Sequence, residues 1–186
     1  MRLFAIAIVS FLAMNSAAFA ACDLSPTIGA RAEARAGQDI MITLAVENLG
    51  DTNCPGTIEA PPNASYMVDI FLSTDRVGPA SWAVYNAAWR EDVLLRGGRV
   101  SRTYSMGPGV TVRYGAPSYE IGPMTLPAEI PPGDYFLCAG VDQGNRVTES
   151  NKRNNLACNP IRILPLLRID PRRPPVIPPR PRLPGQ

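Results

Sequence analysis

Four side chains that carry oxygen donors, Asp142, Asn145, Glu149 and Asn151, fall close together in one loop rich in turn formers. Carboxylate and amide oxygens at this density are the ligands a hard divalent cation such as calcium takes. The same residue types also bond backbone groups a few positions away and hold a turn with no metal at all. The turn reading needs fewer coincidences, and Arg153 lowers the local negative charge that a cation would require. Other chemistry is sparse. The chain has no histidine, which removes His-based activation of a nucleophile and the commonest metal ligand. Its cysteines, Cys22, Cys54, Cys138 and Cys158, show no Cys-x-x-Cys spacing, so zinc is not signalled. No glycine-rich phosphate loop occurs. Glu91 and Asp92 are adjacent, and in a strand they would point to opposite faces. Carboxylates paired only in space, as a glycoside hydrolase uses, leave no mark in a sequence. The expectation is a protein without enzymatic activity or cofactor, with calcium as the one ion the residues suggest.

The elements around that loop read as strands. Tyr135, Leu137, Ala139 and Val141 alternate with period two, as do Ile40, Ile42, Leu44 and Val46, and Tyr66, Val68, Ile70 and Leu72. Such alternation places one face of each strand on a core. Pro131 and Pro132 interrupt the pattern between Met124-Thr125-Leu126 and Tyr135, where a strand cannot continue. Asn154-Asn155 bends the chain before a last strand. Seven or eight short strands with turn signals between them predict an antiparallel sandwich.

The stretch Gly133 to Asn155 resembles the end of the CARDB domain (cell-adhesion-related domain found in bacteria), an immunoglobulin-like module of exported bacterial proteins. The matching residues are Gly133-Asp134-Tyr135, the apolar strand to Val141-Asp142, and Val147-Thr148-Glu149-Ser150-Asn151 with Asn154-Asn155. Lys152 departs from the pattern, standing where the family usually has an acidic residue, and it weakens the calcium reading further. Asp23-Leu24, Ala36 to Gly50, Leu72 to Asp75 and Met124 to Gly133 extend the resemblance over about Asp23 to Leu164. It implies an all-β, antiparallel immunoglobulin-like β-sandwich of about seven to eight strands with an inserted hairpin. It also implies the cysteine pairing. With Asp142 opposite Asn154, Cys138 lies opposite Cys158 on the outer face, leaving Cys22 for Cys54. Free buried thiols are the alternative, which an oxidising compartment disfavours.

The ends and the middle differ from that body. Residues 1–20 read as a signal peptide: Arg2, an apolar run from Leu3 to Met14, and Ala18-Phe19-Ala20 before the cleavage point. A lipobox at Phe19-Ala20-Ala21-Cys22 is the weaker alternative. No stretch is long enough for a transmembrane helix. The domain is expected over 21–164, with an insert at about 80–118 that holds Trp82, Tyr85 and Trp89. Within it, Arg99 to Arg113 around Gly107-Pro108-Gly109 looks like an extra hairpin. These aromatics either pack locally or form a platform for a protein or sugar. Residues 165–186 read as a disordered Pro/Arg-rich tail. There Arg172 and Arg173 are candidates for docking on an acidic surface. Export and the lack of interleaved aromatics exclude a nucleic-acid partner.

The resulting expectation is an exported adhesion or binding module at the cell envelope, periplasmic or secreted, with an envelope or extracellular protein as partner. A carbohydrate-binding module using the Trp/Tyr-rich insert, with a glycan as ligand, is one alternative. A periplasmic assembly or inhibitor protein acting by sheet-edge pairing is the other.

Overall fold

The computed structural model describes residues 21–57, 65–79, 91–102, 104–115 and 120–166. The signal peptide expected over 1–20, the aromatic residues Trp82, Tyr85 and Trp89, and the tail residues Arg172 and Arg173 lie outside them. The described residues form nine strands and no helix: β1 (Leu24–Gly29), β2 (Glu33–Arg35), β3 (Asp39–Asn48), β4 (Met67–Ser73), β5 (Val93–Ser101), β6 (Thr111–Tyr114), β7 (Glu120–Thr125), β8 (Gly133–Val141) and β9 (Leu156–Leu164).

The strands divide into two layers. β3 carries β1 along one edge and β7 followed by β6 along the other, all antiparallel. The second layer runs β5-β4-β8-β9 antiparallel, with the short β2 added parallel to the end of β9. The inward side chains are those the alternation predicts. Ile40, Ile42, Leu44 and Val46 from one sheet meet Val68, Ile70, Leu72, Leu137, Ala139 and Val141 from the other in a single core. Burial of that apolar face is the main force pressing the sheets together.

β5 joins the layers. It pairs with β4 through Arg99 opposite Asp69 and Leu94 opposite Phe71, and the register shifts between these pairs. At the irregularity Gly97 takes φ +81°, and a Cβ on Gly98 would fall 2.4 Å from the Ile70 carbonyl oxygen. Only glycine fits so close a backbone approach. The bulge turns β5 far enough for Arg96 to pair with Thr125 of β7 in the other sheet.

Two sequence expectations change here. The hairpin expected over Arg99–Arg113 does not form, because β6 pairs with β3 and not with β5. Met106, fully buried, instead exchanges two backbone hydrogen bonds of 2.9 Å with Cys54, so this stretch carries the chain from one sheet to the other. The outer face of β4 is also buried. Asp69, Phe71 and Ser73 are all shielded, and Arg99 clamps Asp69 with Nε–Oδ1 at 2.6 Å and Nη2–Oδ2 at 2.8 Å. A charged residue survives on a buried face when a bidentate partner satisfies it.

Disulfides join Cys22 to Cys54 and Cys138 to Cys158. The second links directly opposed residues of β8 and β9. Cys138 lies on the outer face yet has no exposed surface, as does Phe71 opposite it on β4. Beside them Arg76 stacks on the Phe136 ring, 5.0 Å from its centroid. At the start of β8 the Tyr135 hydroxyl donates to the Pro131 carbonyl at 2.9 Å. It pins the Pro131-Pro132 turn in the manner of the tyrosine corner of immunoglobulin-like sandwiches. Tyr135→Phe removes only that hydroxyl, so urea unfolding should show a loss of about 1 kcal/mol. Cys22→Ser with Cys54→Ser opens a loop spanning 32 residues. The same experiment should then show a loss of about 3 kcal/mol; equal midpoints in oxidised and reduced protein would contradict it.

Candidate functional site

The loop from β8 to β9 begins with two residues in left-handed backbone geometry, Asp142 at φ 50° and Asn145 at φ 48°. Asp and Asn tolerate this region better than other non-glycine residues. The resulting tight turn aims the Asp142 carboxylate inward. Its Oδ1 accepts the Arg146 N–H at 2.9 Å, and its Oδ2 accepts the Val147 N–H at 3.0 Å. Val147 is buried and anchors the loop on the core.

Lys152 then reaches back into the loop. Its ammonium donates to Val147 O at 2.7 Å, Glu149 Oε1 at 2.9 Å and Asp142 Oδ2 at 3.0 Å. Three acceptors use all three N–H bonds of an ammonium. The Asp142 and Glu149 side chains are 1% and 0% exposed, against 38% for Lys152. Two carboxylates out of water require a counter-charge nearby, and the ammonium supplies it from the solvent side.

Glu149 carries the cluster across to the first strand. Its Oε2 accepts the Leu24 N–H at 2.9 Å, and its Oε1 also accepts Asn155 Nδ2 at 2.9 Å. Ser150 N–H donates to the Cys22 carbonyl at 2.9 Å, and Asn154 Nδ2 donates to Asp23 Oδ1 at 2.8 Å. Asn48 closes the same end. Its Nδ2 donates to the carbonyls of Thr52 and Met106, and its Oδ1 accepts N–H groups from Asp23 and Gly50. The Cys22–Cys54 bond crosses this end as well.

Burial pushes the Glu149 carboxyl above its ordinary pKa, an effect only partly offset by Asn155, the Leu24 N–H and Lys152. Burial alone would lower the Lys152 ammonium, but its hydrogen bonds and charge contacts with Glu149 and Asp142 outweigh this and raise it. Both directions describe one situation: the buried Glu149 carboxyl and the Lys152 ammonium beside it each hold a proton more tightly than in water.

The four oxygen-bearing residues singled out in the sequence therefore take different places. Asp142 and Glu149 meet at the ammonium. Asn145 is exposed at its turn position, and Asn151 accepts the Arg153 N–H at 3.1 Å. The point on which the carboxylates converge holds an ammonium, which is the physical objection to a calcium site in this chain. Among the described residues no group of three or more His, Cys, Asp or Glu is arranged for a metal. Sequence reasoning missed Lys152 as the centre of the loop, although its charge among carboxylates was the available signal. Asn48 was passed over too, despite the Asn-x-Gly that marks a bend. Of the tyrosines near the insert, Tyr114 packs against the core and Tyr104 is exposed.

No protein-family model and no curated protein sequence matches the chain. Among solved structures it is similar to the CARDB domain of a Pyrococcus furiosus protein, crystallised in complex with di-metal ions. That domain is 17% identical, with 84% of this chain and 100% of the other covered and a TM-score of 0.49. A solution NMR structure of the same domain is 20% identical over 77% of this chain and 95% of the other, at a TM-score of 0.44. A β-glucosidase from Listeria innocua, bound to laminaribiose, is 10% identical over 76% of this chain but 16% of its own, at 0.32. At these values the likenesses carry no argument about activity, ligand or partner, and the architecture stands on the strand pairing itself.

Lys152→Met leaves Asp142 and Glu149 buried without their cation. Breaking a buried pair costs about 3–5 kcal/mol. Because the ammonium is 38% exposed, water can replace part of it, and the expected loss in urea unfolding at neutral pH is about 2–3 kcal/mol. The folded-state pKa of Lys152 is raised, so its contribution is fully present below the unfolded value of 10.5. It is lost as pH rises through the folded value. The wild-type protein should lose stability over that alkaline window more steeply than Lys152→Met; parallel curves would count against the cluster.

Proposed function

We propose that this chain is an exported, non-catalytic module that binds a protein at the bacterial cell envelope. The export part is supported by two disulfides, which persist in oxidising compartments. No helix of the described residues is long and apolar enough to cross a membrane. The sequence resemblance of Gly133 to Asn155 to the end of CARDB domains supports the adhesion-type role. The Asp142 and Glu149 carboxylates are tied to loop closure, which favours contact over catalysis as the use of this sandwich end.

The single observation that carries the binding reading is an apolar tip on this rigid end. Leu49 is 54% exposed and Val110 is 42% exposed. They stand side by side because Asn48 N–H donates to Val110 O at 3.1 Å and Gly109 N–H donates to Asn48 O at 2.8 Å. Pro108, two residues before Val110, is exposed as well. Lone apolar side chains on a surface are ordinary, but adjacent ones on a preorganised loop lose little entropy when a partner covers them.

Sheet-edge pairing is the second reading, since β1 ends the strand order and has a paired neighbour on one side only. Pro26 lies within that edge strand, and the Ile28 carbonyl accepts Asn159 Nδ2. Proline on an edge blocks strand addition, which ranks this reading below the apolar tip.

The test is cross-linked capture from the native envelope with the mature protein, a version ending at Leu164, and Leu49→Asp with Val110→Asp. One protein partner captured by the first two and lost from the third is the expected result. Capture that survives the double substitution would remove the tip from the interface, and capture lost only on truncation would assign binding to the tail.

A further inference from the structure

The geometry points to a cation seat at this end of the sandwich that the chain fills with its own ammonium and that accepts calcium once that charge is removed. Three oxygens from three different residues, Val147 O, Asp142 Oδ2 and Glu149 Oε1, converge on Lys152 Nζ within 2.7 to 3.0 Å. Two of them belong to fully shielded carboxylates. A single ammonium balances only half of the pair's formal charge, whereas a divalent cation would balance all of it.

A second observation bears on the same place. The Asn155 amide rests on Glu149 through its nitrogen. Its oxygen, in a residue 8% exposed, has no hydrogen-bond donor. An unmet buried carbonyl oxygen normally costs free energy, and this one belongs to a side chain whose nitrogen already touches Glu149 and which lines one cavity with Asp142 and Lys152. The seat also opens to solvent where Lys152 is exposed, so waters can complete the six to eight oxygens that calcium takes. Calcium–oxygen bonds of about 2.3–2.6 Å are shorter than the ammonium contacts, so the loop must contract by a few tenths of an ångström. Magnesium, which demands near-octahedral geometry at about 2.0–2.1 Å, fits such a mixed seat less well.

This inference is independent of the protein-binding reading, because it concerns which cation the loop holds. The experiment compares thermal unfolding of wild type, Lys152→Gln and Lys152→Met in chelator, in calcium chloride and in magnesium chloride. Calorimetric titration of calcium runs alongside. Lys152→Gln keeps an N–H donor toward one carboxylate and so preserves the folded loop without the charge. Both variants should rise by about 8 °C at calcium one hundred times its dissociation constant, with a smaller rise in magnesium, while wild type stays unchanged. The rise should vanish in Lys152→Gln with Glu149→Gln. Variants indifferent to calcium, a rise that persists without Glu149, an equal rise in wild type, or a variant that stays unfolded in calcium would each overturn it.

Discussion

Two carboxylates withdrawn from water at one end of the sandwich set the terms for everything around them. Asp142 and Glu149 are accommodated there because each of their oxygens accepts a hydrogen bond. Backbone N–H groups of Arg146, Val147 and Leu24, the Asn155 amide and one ammonium supply the donors. Removing any donor exposes the remaining charge to a low-dielectric surrounding, where it is costly. The arrangement therefore behaves as a unit. It holds the β8–β9 loop in a single shape and fixes the start of β1 against it, more than a hundred residues away in sequence.

The sheets need a different device. Two flat layers would leave β5 on one of them and an open seam on the other. The irregularity at Gly97 and Gly98 gives β5 enough twist to touch both, so the sandwich is closed along that side by one strand. The opposite side is closed by side chains. Asn159 reaches the Ile28 carbonyl, and the parallel pairing of β2 with β9 adds a short strap. Apolar burial drives the layers together, but the glycine pair and the strap decide how they are joined. A contact surface built on such a frame costs little to order when a partner arrives.

Much of this was legible beforehand, and the reasons are specific. Period-two alternation in β3 marks Ile40, Ile42, Leu44 and Val46 as inward because one face of that strand is wet. The same pattern in β4 gives the inward face correctly and misses the burial of Asp69, Phe71 and Ser73. Their cover comes from partners such as Arg99 that are distant in sequence. The β8–β9 register was legible only through the family resemblance, which sets Asp142 opposite Asn154 and therefore Cys138 opposite Cys158, the pairing the strands adopt. The path after β5 was not legible. Gly107-Pro108-Gly109 looks like the centre of a hairpin, but where the flanking residues pair is decided by the loop that Cys54 holds in place. Lys152 shows the limit most plainly. Its charge is visible in the sequence, but the convergence of a carbonyl and two carboxylates on one point exists only in three dimensions.

The link between Leu24 and Glu149 also sets an order in time. A chain that leaves a pore from its first residue presents Cys22 and Leu24 long before Glu149, Lys152 and β9 have emerged. Until they do, the Leu24 N–H lacks its acceptor, and the central β8 has β4 on one side but no β9 on the other. Contacts of such sequence separation are slow to form, and partial chains cannot assemble this end of the molecule. The early segment can pair β1 with β3, but it cannot seat its amino end against the β8–β9 loop. Completion falls to the last strand, so the fold closes from its C-terminal side onto a beginning already held in reserve.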